Sequence, residues 1–169
     1  MANRMSPFAQ WTITTQTAAE TEFVASQLSR YLEGGEWLTL FGELGSGKTT
    51  FARGLVMGLT GQKTAISPTF LLVKGYLGRL TLLHIDAYRL EGMAPEEIDR
   101  QIGLRDFGDR HSVVVIEWAD RVLPLLPQER LEVYFEHLPE GRSLRIRAIG
   151  AKYERLLQRW KESFYGKST

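Results

Sequence analysis

A chain of 169 residues, 43% hydrophobic and 24% charged, has the size and composition of one soluble globular domain with a substantial buried core. The net charge of +1 gives no global attraction to nucleic acid or membrane, and the lack of cysteine excludes disulfides, iron–sulfur clusters and thiolate zinc sites. Three scattered histidines (His84, His111, His137) argue against a dedicated histidine metal site, and no apolar run suits a signal peptide or a bilayer span, so a cytoplasmic protein with no membrane association is expected.

In chain order, "WTIT" (11–14) predicts a short strand, and Thr17 with Glu20 forms a capping-box pattern opening a helix whose face would carry Phe23, Val24, Leu28 and Tyr31. "EWLTLF" (36–41) predicts a strand running into the glycine-rich "GELGSGKTT" (42–50), and "TTFARGLVMGLTG" predicts a helix capped by Gly61. "TFLLVKGYL" and "LTLLHIDAY", separated by Gly78-Arg79, predict a hairpin. "APEEIDRQIGL" reads as a helix with Pro95 in its first turn, and "SVVVIEW" (112–118) as a strand covered on both faces. "RLEVYFEHL" and "SLRIRAI" flank "PEGR" as a second hairpin, and "AKYERLLQRWKESFY" places Tyr153, Leu156, Leu157, Trp160 and Phe164 on one helical face. Strands and helices interleave, which predicts an α/β fold around a mixed sheet in a single domain over 1–169, with a C-terminal helix near 151–165 as an appended element. From Arg142 onward eight Lys/Arg face two Glu; the choice between a solvated basic surface and a docking face for an acidic protein or RNA stays open.

Gly42-x4-Gly47-Lys48-Thr49 fits the phosphate-binding G-x-x-x-x-G-K-[ST] loop, between a predicted strand and a predicted helix as its mechanism requires. Glycines let backbone N–H groups converge on the β-phosphate, Lys48 would bridge the β- and γ-phosphates, and the Thr49 hydroxyl would be a Mg2+ ligand. The pattern therefore predicts binding of a nucleoside triphosphate with Mg2+. A carboxylate must meet the metal from another strand end. Glu117 after "VVVI" and Asp86 after "LLHI" both qualify, one acting directly on the metal and the other through water or on the attacking water. "SPTF" (67–70) sits where switch segments approach the γ-phosphate, with Thr69 as the hydroxyl. Trp118 reads as core or as a partner contact. Arg89 and Arg121, each trailing an acid-bearing strand, would steady phosphate charge or pair with those acids, the commoner fate.

The only asparagine is Asn3, so no guanine-reading N/T-K-x-D box exists and ATP is the expected nucleotide. A small-molecule kinase would need an acceptor pocket and often an arginine-rich lid, for which "RDFGDR" is short and carries two acids. An ATPase that powers or regulates partner proteins suits a lone small domain.

The ordered set GELGSGKTT, SPTF, HIDAYRL, PEEID…IGLRDF and VIEWADR resembles the bacterial TsaE (YjeE) family over about residues 15–149. That resemblance implies a P-loop NTPase-like three-layer sandwich, a central mixed β-sheet flanked by helices. It implies the ATPase component of tRNA threonylcarbamoyladenosine synthesis, acting with TsaB and TsaD, meeting tRNA only through that complex, and powering or resetting it rather than transferring the group. Carried over residue by residue, Glu43, Leu44, Gly45, Ser46, Gly47, Lys48, Thr49 and Thr50 would surround the phosphates, with Thr49 and Glu117 as the Mg2+ ligands. Asp86 would be the further acid for hydrolysis, Thr69 the switch threonine, Trp118 the tryptophan of an E-W pair and Gly141 a position near the base. The loop before "AAETEFVASQL" would lie near the nucleotide.

Overall fold

The computed structural model describes residues 9–62 and 73–165. Strands β1 (Gln10–Thr15), β2 (Trp37–Phe41), β3 (Val73–Tyr76), β4 (Thr81–Asp86), β5 (Ser112–Glu117), β6 (Arg130–His137) and β7 (Arg142–Ile149) form one mixed sheet in the order β1-β7-β6-β2-β5-β4-β3. The inner strands β6, β2, β5 and β4 are parallel, while β7, β1 and β3 join antiparallel. Every residue of β2 and β5 is buried, which explains their continuous apolar runs.

Helices α1 (Ala18–Ser29), α2 (Lys48–Thr60) and α4 (Ala151–Tyr165) cover one face, and α3 (Pro95–Ile102) with three 3-10 turns covers the other. Side-chain alternation divides the core accordingly. Leu38, Leu40, Val113 and Val115 face the α1–α2–α4 side, whereas Trp37, Phe41, Val114 and Ile116 face α3. The expected three-layer α/β sandwich is the observed one.

Local chemistry accounts for the helix ends. Thr17 Oγ1 accepts the Glu20 N–H (3.1 Å), and Glu20 Oε2 returns the bond to the Gln16 N–H (2.6 Å), one residue ahead of the usual capping-box position. Gly61 and Gly103 close α2 and α3 in the left-handed conformation. The expected face of α1 needs one correction. Phe23 is 55% exposed, and its place is taken by Thr21, buried because its hydroxyl meets Thr15 Oγ1 at 2.7 Å.

Two close approaches set the rest. α2 crosses α1 where a Cβ on Gly54 would lie 2.3 Å from the Glu22 carbonyl oxygen, so the helices touch backbone to backbone. α4 buries Tyr153, Leu156, Leu157 and Trp160, each worth roughly 1.5–3 kcal/mol on removal from water. Trp160 Nε1–H donates to the Val24 carbonyl (3.0 Å) and the Trp37 N–H donates to Tyr153 Oη (2.9 Å), tying α4 to α1 and to the entry of β2. Among the described residues no helix is long and apolar enough to cross a membrane.

Candidate functional site

The glycine loop turns between the end of β2 and the start of α2, with Gly42, Gly45 and Gly47 all at positive φ (153°, 74° and 116°). Gly47 caps α2 without a side-chain acceptor, so the first N–H groups of that helix point into the loop unclaimed by any capping side chain. Such an N-terminus, with its positive dipole end, is chemistry for an anion.

Lys48 is buried (4% exposed) and its ammonium donates to the carbonyls of Gly42 (2.5 Å) and Glu43 (2.8 Å) and to Ser46 Oγ (3.3 Å). The same nitrogen lies 4.1 Å from the centre of the Trp118 ring, over its face. Burial pushes the Lys48 pKa below its ordinary 10.5, against the opposing pull of Glu117, Asp86, Asp120 and Glu43.

Thr49, one residue on, donates its hydroxyl to Glu117 Oε1 at 2.7 Å. Glu117 ends β5, is 2% exposed, and its other oxygen lies 2.5 Å from His84 Nε2. β4 and β5 run parallel in register, so Asp86 sits beside Glu117 and its Oδ1 accepts the Tyr88 N–H (3.0 Å). Lys48, Thr49, Asp86 and Glu117, called from separate segments, therefore converge at the C-terminal ends of adjacent parallel strands, where open α/β sheets place their ligands.

These side chains line a cavity of about 580 Å3. Its floor carries Gly45, Gly47, Lys48, Thr49 and Thr50, with Leu44 at the rim, 77% exposed. Opposite lie Gln16, Thr17 and Thr21 from the β1–α1 loop and helix start, together with Gly141 and Arg142 from the β6–β7 hairpin. Trp118 and Tyr88, with ring centres 5.0 Å apart, form the side wall. Trp118 is the only non-glycine residue at positive φ (57°) among those described, a strained backbone point between β5 and the following 3-10 turn.

The remaining expected residues take varied positions. Glu43 is exposed, contributing its carbonyl rather than its carboxylate to Lys48, and Ser46 is buried behind the loop. Thr69 and its "SPTF" segment lie outside the described residues. Arg121 pairs with Glu91 (2.8 Å) and with the Tyr88 carbonyl (2.6 Å), not with a strand-end acid, and its guanidinium also stacks over Trp118 and Tyr88. His84 and Arg142 were not singled out as site residues. His84 is two residues before Asp86, hence on the same face of β4, a signal that needed the β4–β5 pairing to be read. Arg142 Nη2 donates to the Gly45 carbonyl (3.2 Å), a contact between segments 97 residues apart that sequence spacing does not announce.

The family model described as "Threonylcarbamoyl adenosine biosynthesis protein TsaE" matches residues 15–144. A Bacillus subtilis relative named tRNA threonylcarbamoyladenosine biosynthesis protein TsaE is 35% identical over 146 residues, covering 85% of this chain and 89% of the relative. A Treponema pallidum protein of the same name is 38% identical over 127 residues, covering 75% and 92%. The crystal structure of Bacillus subtilis YdiB superposes with a TM-score of 0.75 at 33% identity, covering 92% of this chain and 96% of that one. With the fold, the loop and the sequence matched along most of its length, the chain belongs to the TsaE family of tRNA threonylcarbamoyladenosine biosynthesis proteins.

Proposed function

We propose that the chain binds ATP with Mg2+ and hydrolyses it, and that this turnover powers or resets a cytoplasmic complex with TsaB and TsaD in tRNA threonylcarbamoyladenosine synthesis. The group transfer itself belongs to TsaD, and tRNA is met through the complex.

The observation that carries the reading is the 2.7 Å pairing of the Thr49 hydroxyl with Glu117 beside an uncapped helix N-terminus. Those two groups and the neighbouring Asp86 are hard oxygen donors, and among the described residues no three His, Asp or Glu cluster as a metal cage. Few protein ligands, all oxygen, suit Mg2+, which keeps several waters and takes phosphate oxygens. Thr49 and Glu117 would hold it. When bound, the ion neutralises charge developing on the phosphates.

The chain's own groups supply the remainder. Lys48 exchanges the Gly42 and Glu43 carbonyls for phosphate oxygens, a charged acceptor in place of two neutral ones. Backbone from Glu43 to Thr50 wraps the phosphates, and the Gln16–Thr17 and Gly141–Arg142 walls enclose the far end of the cavity, toward the base. Asp86 orients the attacking water, and Thr69 serves as the switch hydroxyl.

ATP hydrolysis by the purified chain, measured alone and with TsaB and TsaD, tests the reading. Slow turnover that rises on adding both partners, and that falls by about 100-fold or more in Lys48→Ala and Glu117→Ala, is the expected result. Hydrolysis unaffected by Lys48→Ala overturns it. Phosphate transfer to a small molecule without either partner would make the chain a kinase.

A further inference from the structure

We propose that His84 is a dedicated positioning residue for Glu117, a buried ring that donates from Nε2 to one carboxylate oxygen and so aims the other at Thr49 and the metal. The inference rests on the Mg2+–nucleotide reading above and extends it to a residue that touches neither ligand.

The imidazole is fully buried, with Nε2 at 2.5 Å from Glu117 Oε2 and Nδ1 enclosed with no hydrogen-bond partner among the described residues. An imidazole nitrogen bonds a carboxylate only by donating, so the contact needs a proton on Nε2. With the proton on Nδ1, a buried donor would go unmet and two acceptors, Nε2 and the carboxylate, would face each other at 2.5 Å. With the proton on Nε2, the carboxylate gains its donor.

This fixes Glu117 at one end only. Oε2 is anchored by a ring sealed in the core, while Oε1 meets the Thr49 hydroxyl at the cavity. A glutamate has three side-chain torsions; the His84 bond removes the last of these freedoms and leaves Oε1 as the oxygen presented. Groups that orient a metal's ligands in this way typically govern metal affinity by about 10- to 100-fold.

The test compares wild type with His84→Leu and His84→Gln by calorimetric titration of ADP over a range of Mg2+ concentrations and in EDTA, with circular dichroism to check folding. Glutamine can place an amide donor near the position of Nε2, and leucine cannot. In His84→Leu the Mg2+ needed for tight ADP binding is expected to rise about 10- to 100-fold with the EDTA affinity unchanged, and His84→Gln is expected to stay within a few-fold of wild type. A folded His84→Leu protein with wild-type Mg2+ dependence overturns the inference, as does His84→Gln behaving like His84→Leu. If His84→Leu does not fold, His84→Gln and 15N NMR of the wild-type imidazole decide. A protonated Nε2 supports the assignment, and a bare Nε2 overturns it. Wild-type protein whose ADP binding ignores Mg2+ overturns the nucleotide–metal reading and this inference with it, whereas the two His84 variants strike the inference alone.

Discussion

Trp118 holds two properties in one residue. Its backbone is left-handed, a conformation that the Cβ of any L-residue other than glycine opposes, and its ring lies against Lys48, Arg121 and Tyr88. The two can be separated by substitution. Trp118→Ala loses the ring and keeps the strain, while Trp118→Gly loses both, so the glycine variant is expected to be the more stable by about 1 kcal/mol in urea denaturation. Equal stabilities would mean the backbone relaxes out of the left-handed region once the indole is gone. Both variants are expected to bind nucleotide more weakly than wild type, because the ring that confines the Lys48 ammonium is absent in each.

Between elements, the cavity depends on two contacts remote from the glycine loop. A Cβ on Gly141, at φ 85°, would stand 2.1 Å from the Thr15 carbonyl oxygen, so the β6–β7 turn and the β1–α1 loop fit together only with glycine there. Gly141→Ala is expected to lose at least about 2 kcal/mol of stability, from strain and overpacking together, and to weaken nucleotide binding by spreading the two walls. Wild-type stability in that variant would show that the turn can shift without loss. Thr17 caps α1 while lining the same cavity, so Thr17→Ala is expected to lose about 1 kcal/mol in denaturant titration through the freed Glu20 N–H.

Over the whole molecule, alkaline pH acts through two buried groups with opposite signs. Burial pushes the Tyr153 hydroxyl from 10.0 up to about 12, so between those values the unfolded chain releases its proton first and stability falls as pH rises, by about 2 kcal/mol near pH 12. Lys48 is lowered from 10.5, so the unfolded chain holds the proton more tightly and this group adds stability as pH climbs toward 10.5. Thermal melts from pH 9 to 12 are therefore expected to show a decline that Tyr153→Phe flattens. Phenylalanine also deprives the Trp37 N–H of its acceptor, so the variant is expected to start from a lower melting point at neutral pH. A decline as steep in Tyr153→Phe as in wild type would assign it to other groups.

The same distinction between local and long-range chemistry decides what could be read before the fold was known. The strands, the helices and the loop from Gly42 to Thr50 announce themselves because their signals are contiguous: alternation, caps, and a motif whose residues are neighbours in sequence. Glu117 was legible because it ends a buried apolar strand. His84 was not, because its meaning comes from the parallel pairing that sets Asp86 against Glu117, and Arg142 and Tyr88 reach the cavity only through the hairpin and turn that follow other strands. Phe23 misled because hydrophobicity alone does not choose among neighbouring helix faces; a buried hydroxyl pair, Thr15 with Thr21, chose instead.

The tryptophans divide along the same line. Trp11, Trp37 and Trp160 are packed into the two sides of the core, and Trp118 alone of the four stands at the cavity, under a cation. The molecule thus carries one indole at the cavity and three in the core. Its intrinsic fluorescence will register events at Lys48 without any attached dye, and Trp118→Phe supplies the silent control.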